Sequence, residues 1–156
     1  MILNVGCGSF SYCDINTDLF IGKNIHSSQI INPKKLKNFV KADGQYLPFK
    51  DNCFKLVYSS HTIEHVNNPF LFMKELVRVS KCRILIKCPH RLGDKFTQFI
   101  TRKKIKVHLH YFSKKWFTIN SKKLNCVMIK GEYSEFINYP LINFIPHELT
   151  IEMLKK

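Results

Sequence analysis

The chain opens on a short apolar run, ILNV (2–5), broken at once by GCG. A run of this kind closed by glycines predicts a strand that ends in a tight turn. CDINTDL (13–19) alternates weakly and predicts a second strand, NFVKA (38–42) a third, and FKLVYSS (54–60) a fourth. Residues 24–37 are polar, contain Pro33, and predict a loop with a short helix. QYLPFKDN (45–52) carries turn chemistry. The strongest helical signal follows. Phe72, Met73, Leu76, Val77 and Val79 share one face, behind an Asn68 that can cap and a Pro69 suited to the first helical position. Glu75 and Arg78 are spaced to pair on the solvent side of that helix. RILIKC (83–88) predicts a buried strand stopped by Pro89. Residues 91–123 are basic and aromatic and predict loop plus helix, and NCVMIKGEY (125–133) predicts a late strand, one arm of a hairpin. Strands separated by helices and loops predict an α/β fold with a largely parallel sheet.

Composition narrows the class. The 156 residues suit one domain, and 45% hydrophobic with 13% aromatic residues describes a chain that packs a core. No apolar run approaches the roughly 20 residues needed to cross a bilayer. The first ten residues lack a basic n-region and a long apolar h-region, so they do not read as a signal peptide. The expected location is cytoplasmic. Six cysteines (Cys7, Cys13, Cys53, Cys82, Cys88 and Cys126) form no C-x-x-C pair and read as free thiols.

The formal charge of +14, from 25 Lys+Arg against 11 Asp+Glu, changes the range of partners. Only Arg78, Arg83, Arg91 and Arg102 are arginines, so the field is a diffuse lysine field. It favours nucleic acid, anionic lipid or acidic substrates, and it equally serves solubility.

Two stretches carry chemistry. In LNVGCG (3–8), Gly6 and Gly8 let the backbone approach a ligand at a strand end. The dinucleotide fingerprint G-x-G-x-x-G is incomplete, and the phosphate loop G-x-x-x-x-G-K-[ST] is absent. Asp18 ends the second strand, where a carboxylate can accept both hydroxyl protons of a ribose, and Asp43 follows the third, beside Gly44. Each also suits a turn or a cap. The second stretch, HTIEH (61–65), has the H-x-x-E-H spacing of a zinc protease. Yet FKLVYSS runs straight into His61, and the good helix start comes only at Asn68-Pro69. The motif therefore reads as a strand-to-helix crossing. His108 and His110 form an i, i+2 pair without an evident third ligand, so no metal is expected.

ILNVGCG, then VKADGQYLPFKDNCFKLVYSSHTIEHVNNPFLFMKELVRVSK, then RILIKCPH resembles the class I S-adenosylmethionine-dependent methyltransferases, in particular the type 11-like subgroup with an LPF…FDLV…S…LEH…ELxRVL signature. The resemblance covers about residues 2–90. It implies a Rossmann-like sheet, mostly parallel with an antiparallel late strand and shortened at its N-terminus. Residues 2–90 would form the cofactor-binding half and 91–156 the acceptor side. It implies S-adenosylmethionine as cofactor. Asn4, Gly6, Cys7 and Gly8 would lie by its amino-acid end, Asp18 at the ribose, and Asp43 with Gly44 at the adenine. Ser60 and His61 would line the methyl-donor site, with His61 the candidate general base or a packing residue. Phe49 and Phe54 are expected to pack. HLHYFSKKWF would place His108, His110 and Tyr111 by the acceptor. The sequence departs from the pattern at Asn4, usually acidic; at Phe10, often glycine; at Lys55, usually Asp; in the short Gly8–Asp18 interval; and at Cys82-Arg83, where a glycine pair is usual.

The expected activity is methyl transfer to a small-molecule, glycan or lipid-linked acceptor. RNA methylation through the basic segment 90–117 is the second reading, and a non-catalytic methyltransferase-like subunit the third. A metallopeptidase comes last. Met1 nearly on the first strand implies a missing N-terminal cover, which leaves room for a homodimer.

Overall fold

The computed structural model describes residues 1–23, 30–102, 108–135 and 146–156. In chain order the strands are β1 (Ile2–Val5), β2 (Ile15–Asp18), β3 (Gly22–Lys23), β4 (Ile30–Ile31), β5 (Phe39–Lys41) and β6 (Phe54–Ser60). Helix α1 (Pro69–Val79) leads into β7 (Ser80–Pro89). Then come α2 (Arg91–Thr101), α3 (Lys114–Lys123), β8 (Cys126–Glu135) and β9 (Pro146–Lys155). Seven strands form one sheet in the order β5-β2-β1-β6-β7-β9-β8, and β3 and β4 pair apart from it. The first five run parallel. β9 is antiparallel to both of its neighbours. The sheet is thus mostly parallel, in line with the strand pattern.

The chain winds outward from β1 in both directions, to β2 and β5 on one side and to β6 and β7 on the other. This is the switch point of an open α/β sheet, where strand ends diverge and leave a crevice. The fold leaves that crevice largely to loops, because residues 6–14 join β1 to β2 without a helix.

Helix α1 begins and ends as its sequence dictates. The Asn68 side chain accepts the Leu71 N–H at 3.0 Å, and Pro69 fills the first position. Such a cap stabilises a helix by about 1 kcal/mol. Phe72, Met73, Leu76, Val77 and Val79 are all buried and meet Leu3, Val5, Val57, Ile84 and Ile86 of the sheet in one core. Phe54 is buried and Phe49 packs against it edge-on, with ring centroids 5.1 Å apart.

Three expectations need correction. The Glu75–Arg78 pair is present, but it faces the 47–51 loop and not solvent. Arg78 donates to both Glu75 carboxylate oxygens at 2.6 and 2.8 Å, to the carbonyls of Leu47 and Phe49, and to Asp51. Glu75 in turn accepts the Leu47 N–H at 2.9 Å. The LPF and ELVR segments are therefore one clamp. Second, β7 extends beyond residues 83–88, and Pro89 is its last residue instead of a stop outside it. Third, β9 has no counterpart among the expected strands. Its PHELTIEMLK sequence mixes proline, histidine and three charged residues, which hides its strand character. Of the predicted loop over 24–37, residues 24–29 lie outside the described residues, and Pro33–Lys35 form a single 3-10 turn. Part of the basic 90–117 segment, 103–107, is likewise outside them.

Candidate functional site

A cavity of about 880 Å³ opens at the ends of β1, β2 and β6. That volume is in the range of cofactor sites. Asn4, Gly6, Cys7, Gly8, Asp18, Asp43, Gly44, Ser60, His61 and His108 all line it, so the fold brings these predicted residues together.

The glycine turn is shaped by the chain crossing beside it. Gly6 has φ +74°, and a Cβ there would lie 2.0 Å from Thr62 Oγ1. Both its backbone conformation and its neighbour demand glycine. Thr62, which no sequence motif singles out, donates to the Ser60 carbonyl at 3.1 Å and lies 3.5 Å from the carbonyls of Val5 and Gly6. It ties the end of β6 to the turn. Gly44 has a different reason to be glycine: a Cβ would lie 2.3 Å from the Phe72 ring. Its smallness serves the core below the site.

Asp18 is buried at the end of β2. Its Oδ2 accepts the Gly8 N–H at 2.9 Å and its Oδ1 the Phe20 N–H at 2.9 Å. Each carboxylate oxygen keeps a further lone pair. Asp43 accepts the Gln45 backbone N–H at 2.8 Å and the Gln45 amide at 3.3 Å, as a turn-forming aspartate does. Asn4 is buried, with its amide 3.5 Å from the Phe10 carbonyl, a long and weak bond. Burial pushes the Cys7 thiol up to about 12, with the Asp18 charge adding to it, so this sulfur stays protonated and inert.

The HTIEH segment is a strand end followed by a 3-10 turn over Ile63–His65. His61 adopts a left-handed backbone, φ +51°. Its Nε2 lies 2.9 Å from Glu148 Oε2, and its Nδ1 lies 3.6 Å from Glu64 Oε1. The bond to Glu148, reinforced by Glu64, raises the His61 pKa to about 9. His61 and then Lys87 hold Glu148 at about 2, although burial opposes them. Glu148 lies on β9, the strand without a sequence signature, and so was not among the expected site residues.

On the far side of the cavity the 108–111 segment docks on the same turn. The N–H groups of Leu109 and His110 donate to the Glu64 carbonyl at 3.0 and 3.2 Å. His108 Nδ1 lies 2.6 Å from Asp94 Oδ2, and the Tyr111 hydroxyl donates to the same oxygen at 2.9 Å. The Asp94 bond raises the His108 pKa. Burial pushes the Asp94 carboxyl up, but its bonds to His108 and Tyr111 outweigh that and lower it. Burial, then the bond to Asp94, pushes Tyr111 to about 12. His110 Nε2 lies 3.0 Å from the Val66 carbonyl. Of the three residues expected at the acceptor, His108 lines the cavity, while Tyr111 and His110 are engaged in holding the segment in place.

Comparison with known proteins bears on the family and the fold. The family model described as "Methyltransferase domain" matches residues 3–83. A protein named as an uncharacterized methyltransferase from Mycobacterium leprae (strain Br4923) is 32% identical over 89 residues, covering 52% of this chain and 33% of the relative. The chain thus spans about a third of the length of such curated relatives. Among solved structures, a SAM-dependent methyltransferase from Thermotoga maritima superposes with TM-score 0.70 at 17% identity, covering 99% of this chain and 82% of that one. Magnesium protoporphyrin IX methyltransferase from Synechocystis PCC 6803, with bound SAH, gives 0.64 at 10% identity, covering 99% and 74%. At such identities these two likenesses speak for the fold.

Proposed function

Because the chain belongs to the methyltransferase domain family, we propose that it transfers a methyl group from S-adenosylmethionine to a small-molecule, glycan or lipid-linked acceptor. The observation that carries this reading is Asp18. It is a buried carboxylate at a strand end, locked to the glycine turn through Gly8, with lone pairs left over at the rim of a cofactor-sized cavity. Those are the acceptors that two adjacent ribose hydroxyls need.

The residues present fit the cofactor. Asp18 would hold the ribose, Asp43 and the Gly44 backbone the adenine side, and Asn4 with Gly6, Cys7 and Gly8 the amino-acid end. When bound, S-adenosylmethionine supplies a methyl group on a positively charged sulfur, which is a good leaving group. The chain's own work is then to fix geometry. Holding an acceptor atom about 3 Å from the methyl carbon and in line supplies roughly 7–11 kcal/mol of the barrier. Ser60 and His61 stand at the end of β6, where that alignment would be set. With both ring nitrogens facing carboxylates, His61 suits orienting the acceptor better than accepting its proton.

Calorimetric titration with S-adenosylhomocysteine tests the reading. The wild-type chain is expected to bind, and Asp18→Ala to bind about 10–100-fold more weakly through loss of two charged hydrogen bonds. Absence of heat at millimolar ligand with the wild type would instead favour a non-catalytic subunit.

A further inference from the structure

Just past the end of β6, the cavity wall holds a second cluster that methyl transfer by itself does not use. Glu64 is fully buried, and neither of its carboxylate oxygens has a hydrogen-bond partner among the described residues. The nearest cationic groups among the described residues are His61 Nδ1 at 3.6 Å and His65 Nε2 at 3.9 Å, both beyond hydrogen-bond length. Burying a carboxylate without hydrogen bonds costs several kcal/mol unless something pairs with it. One ligand atom each from Glu64, His65 and His108 lie within 4.8 Å of one another. Sequence spacing supplies no distal partner for HTIEH, but the docked 108–111 segment brings one in.

We propose that Glu64, His65 and His108 bind one first-row divalent transition ion of the zinc class. Two imidazoles and a carboxylate are a donor set that such ions favour, with a coordination position left over. The surroundings are those of a metal site. Asp94 holds Nδ1 of His108 at 2.6 Å, which leaves Nε2 as the coordinating nitrogen. A carboxylate behind a ligating histidine fixes its ring and raises its basicity. The Glu64 carbonyl accepts both N–H groups that follow His108, so the two ligand-bearing segments are locked together before any ion arrives. All three ligands line the cavity, so the remaining coordination position faces it. Ion binding is independent of the methyl-transfer reading. Only its use, anchoring an oxygen or nitrogen donor of the acceptor, rests on that reading.

The test is titration of the metal-stripped full chain with Co²⁺, read by visible absorption, with Zn²⁺ as competitor. The expected result is one Co²⁺ per chain, displaced by Zn²⁺, with d–d bands and no thiolate charge transfer. Glu64→Gln, which keeps shape and loses charge, and His108→Ala are each expected to weaken binding at least about 100-fold. Asp94→Asn is expected to weaken it about 10-fold and to alter the d–d bands, which a merely structural role would not do. Circular dichroism and thermal melting establish that each variant is folded. Three outcomes would overturn the proposal: no saturable binding at millimolar Co²⁺, unchanged affinity in folded Glu64→Gln, or a spectrum dominated by thiolate ligation.

Discussion

Asn4 stands at the first strand end, where the sequence resemblance leads one to expect an acidic residue. On the proposed reading, the buried Asn4 amide at the first strand end would offer the cofactor's ammonium group a neutral acceptor. A carboxylate there would make a charge-assisted bond, which is roughly twice as strong as a neutral one. Asn4→Asp is therefore expected to tighten S-adenosylmethionine binding about 5–10-fold, or about 1 kcal/mol, measured by calorimetry. An unchanged or weaker affinity would place the ammonium elsewhere. The same scale shows how one residue type serves two ends. Gly6 is small because Thr62 passes it and its φ is positive, whereas Gly44 is small because Phe72 lies beneath it. Sequence alone presents both as glycines at strand ends.

At the scale of elements, α1 and the 47–51 loop are joined by the Glu75–Arg78 clamp, and the clamp has a pH signature. The bonds from Arg78 lower the Glu75 pKa despite its partial burial. A carboxylate whose folded pKa is depressed contributes stability above its unfolded value, about 4.3, and that contribution is lost as pH falls through the folded value. In urea unfolding, the wild-type midpoint should therefore fall between about pH 6 and pH 3 more steeply than that of Glu75→Gln. At neutral pH the substitution should cost about 1–3 kcal/mol, the worth of hydrogen bonds to a charged group. Parallel pH profiles for the two proteins would mean that the clamp contributes no linked stability. Helix α1 and strands β1, β2, β5 and β6 were legible because each has a local signature: a capped apolar face, or a run closed by a turn. The role of Arg78 was not, because its partners at 47, 49 and 51 are near only in the fold.

At the scale of the whole molecule, the sheet order sets the site. Parallel strands leaving β1 in opposite directions open the crevice in which Asp18, the glycine turn and the β6 end converge. This half was legible because glycines and carboxylates recur at successive strand ends, and parallel strands carry those ends to one edge of the sheet. The far wall was much less so. Glu148 arrives from β9, and Asp94 from α2, at distances in sequence that no spacing rule connects to His61 or His108. No helix among the described residues is long and apolar enough to cross a membrane.

The most direct measurement is a crystal structure of the full chain with S-adenosylhomocysteine. The expected result is a ribose whose two hydroxyls both lie within hydrogen-bond distance of Asp18, with the adenine beside Asp43 and the amino-acid end along Gly6–Gly8. Nucleoside bound away from the ends of β1 and β2, or a ribose making no contact with Asp18, would contradict it.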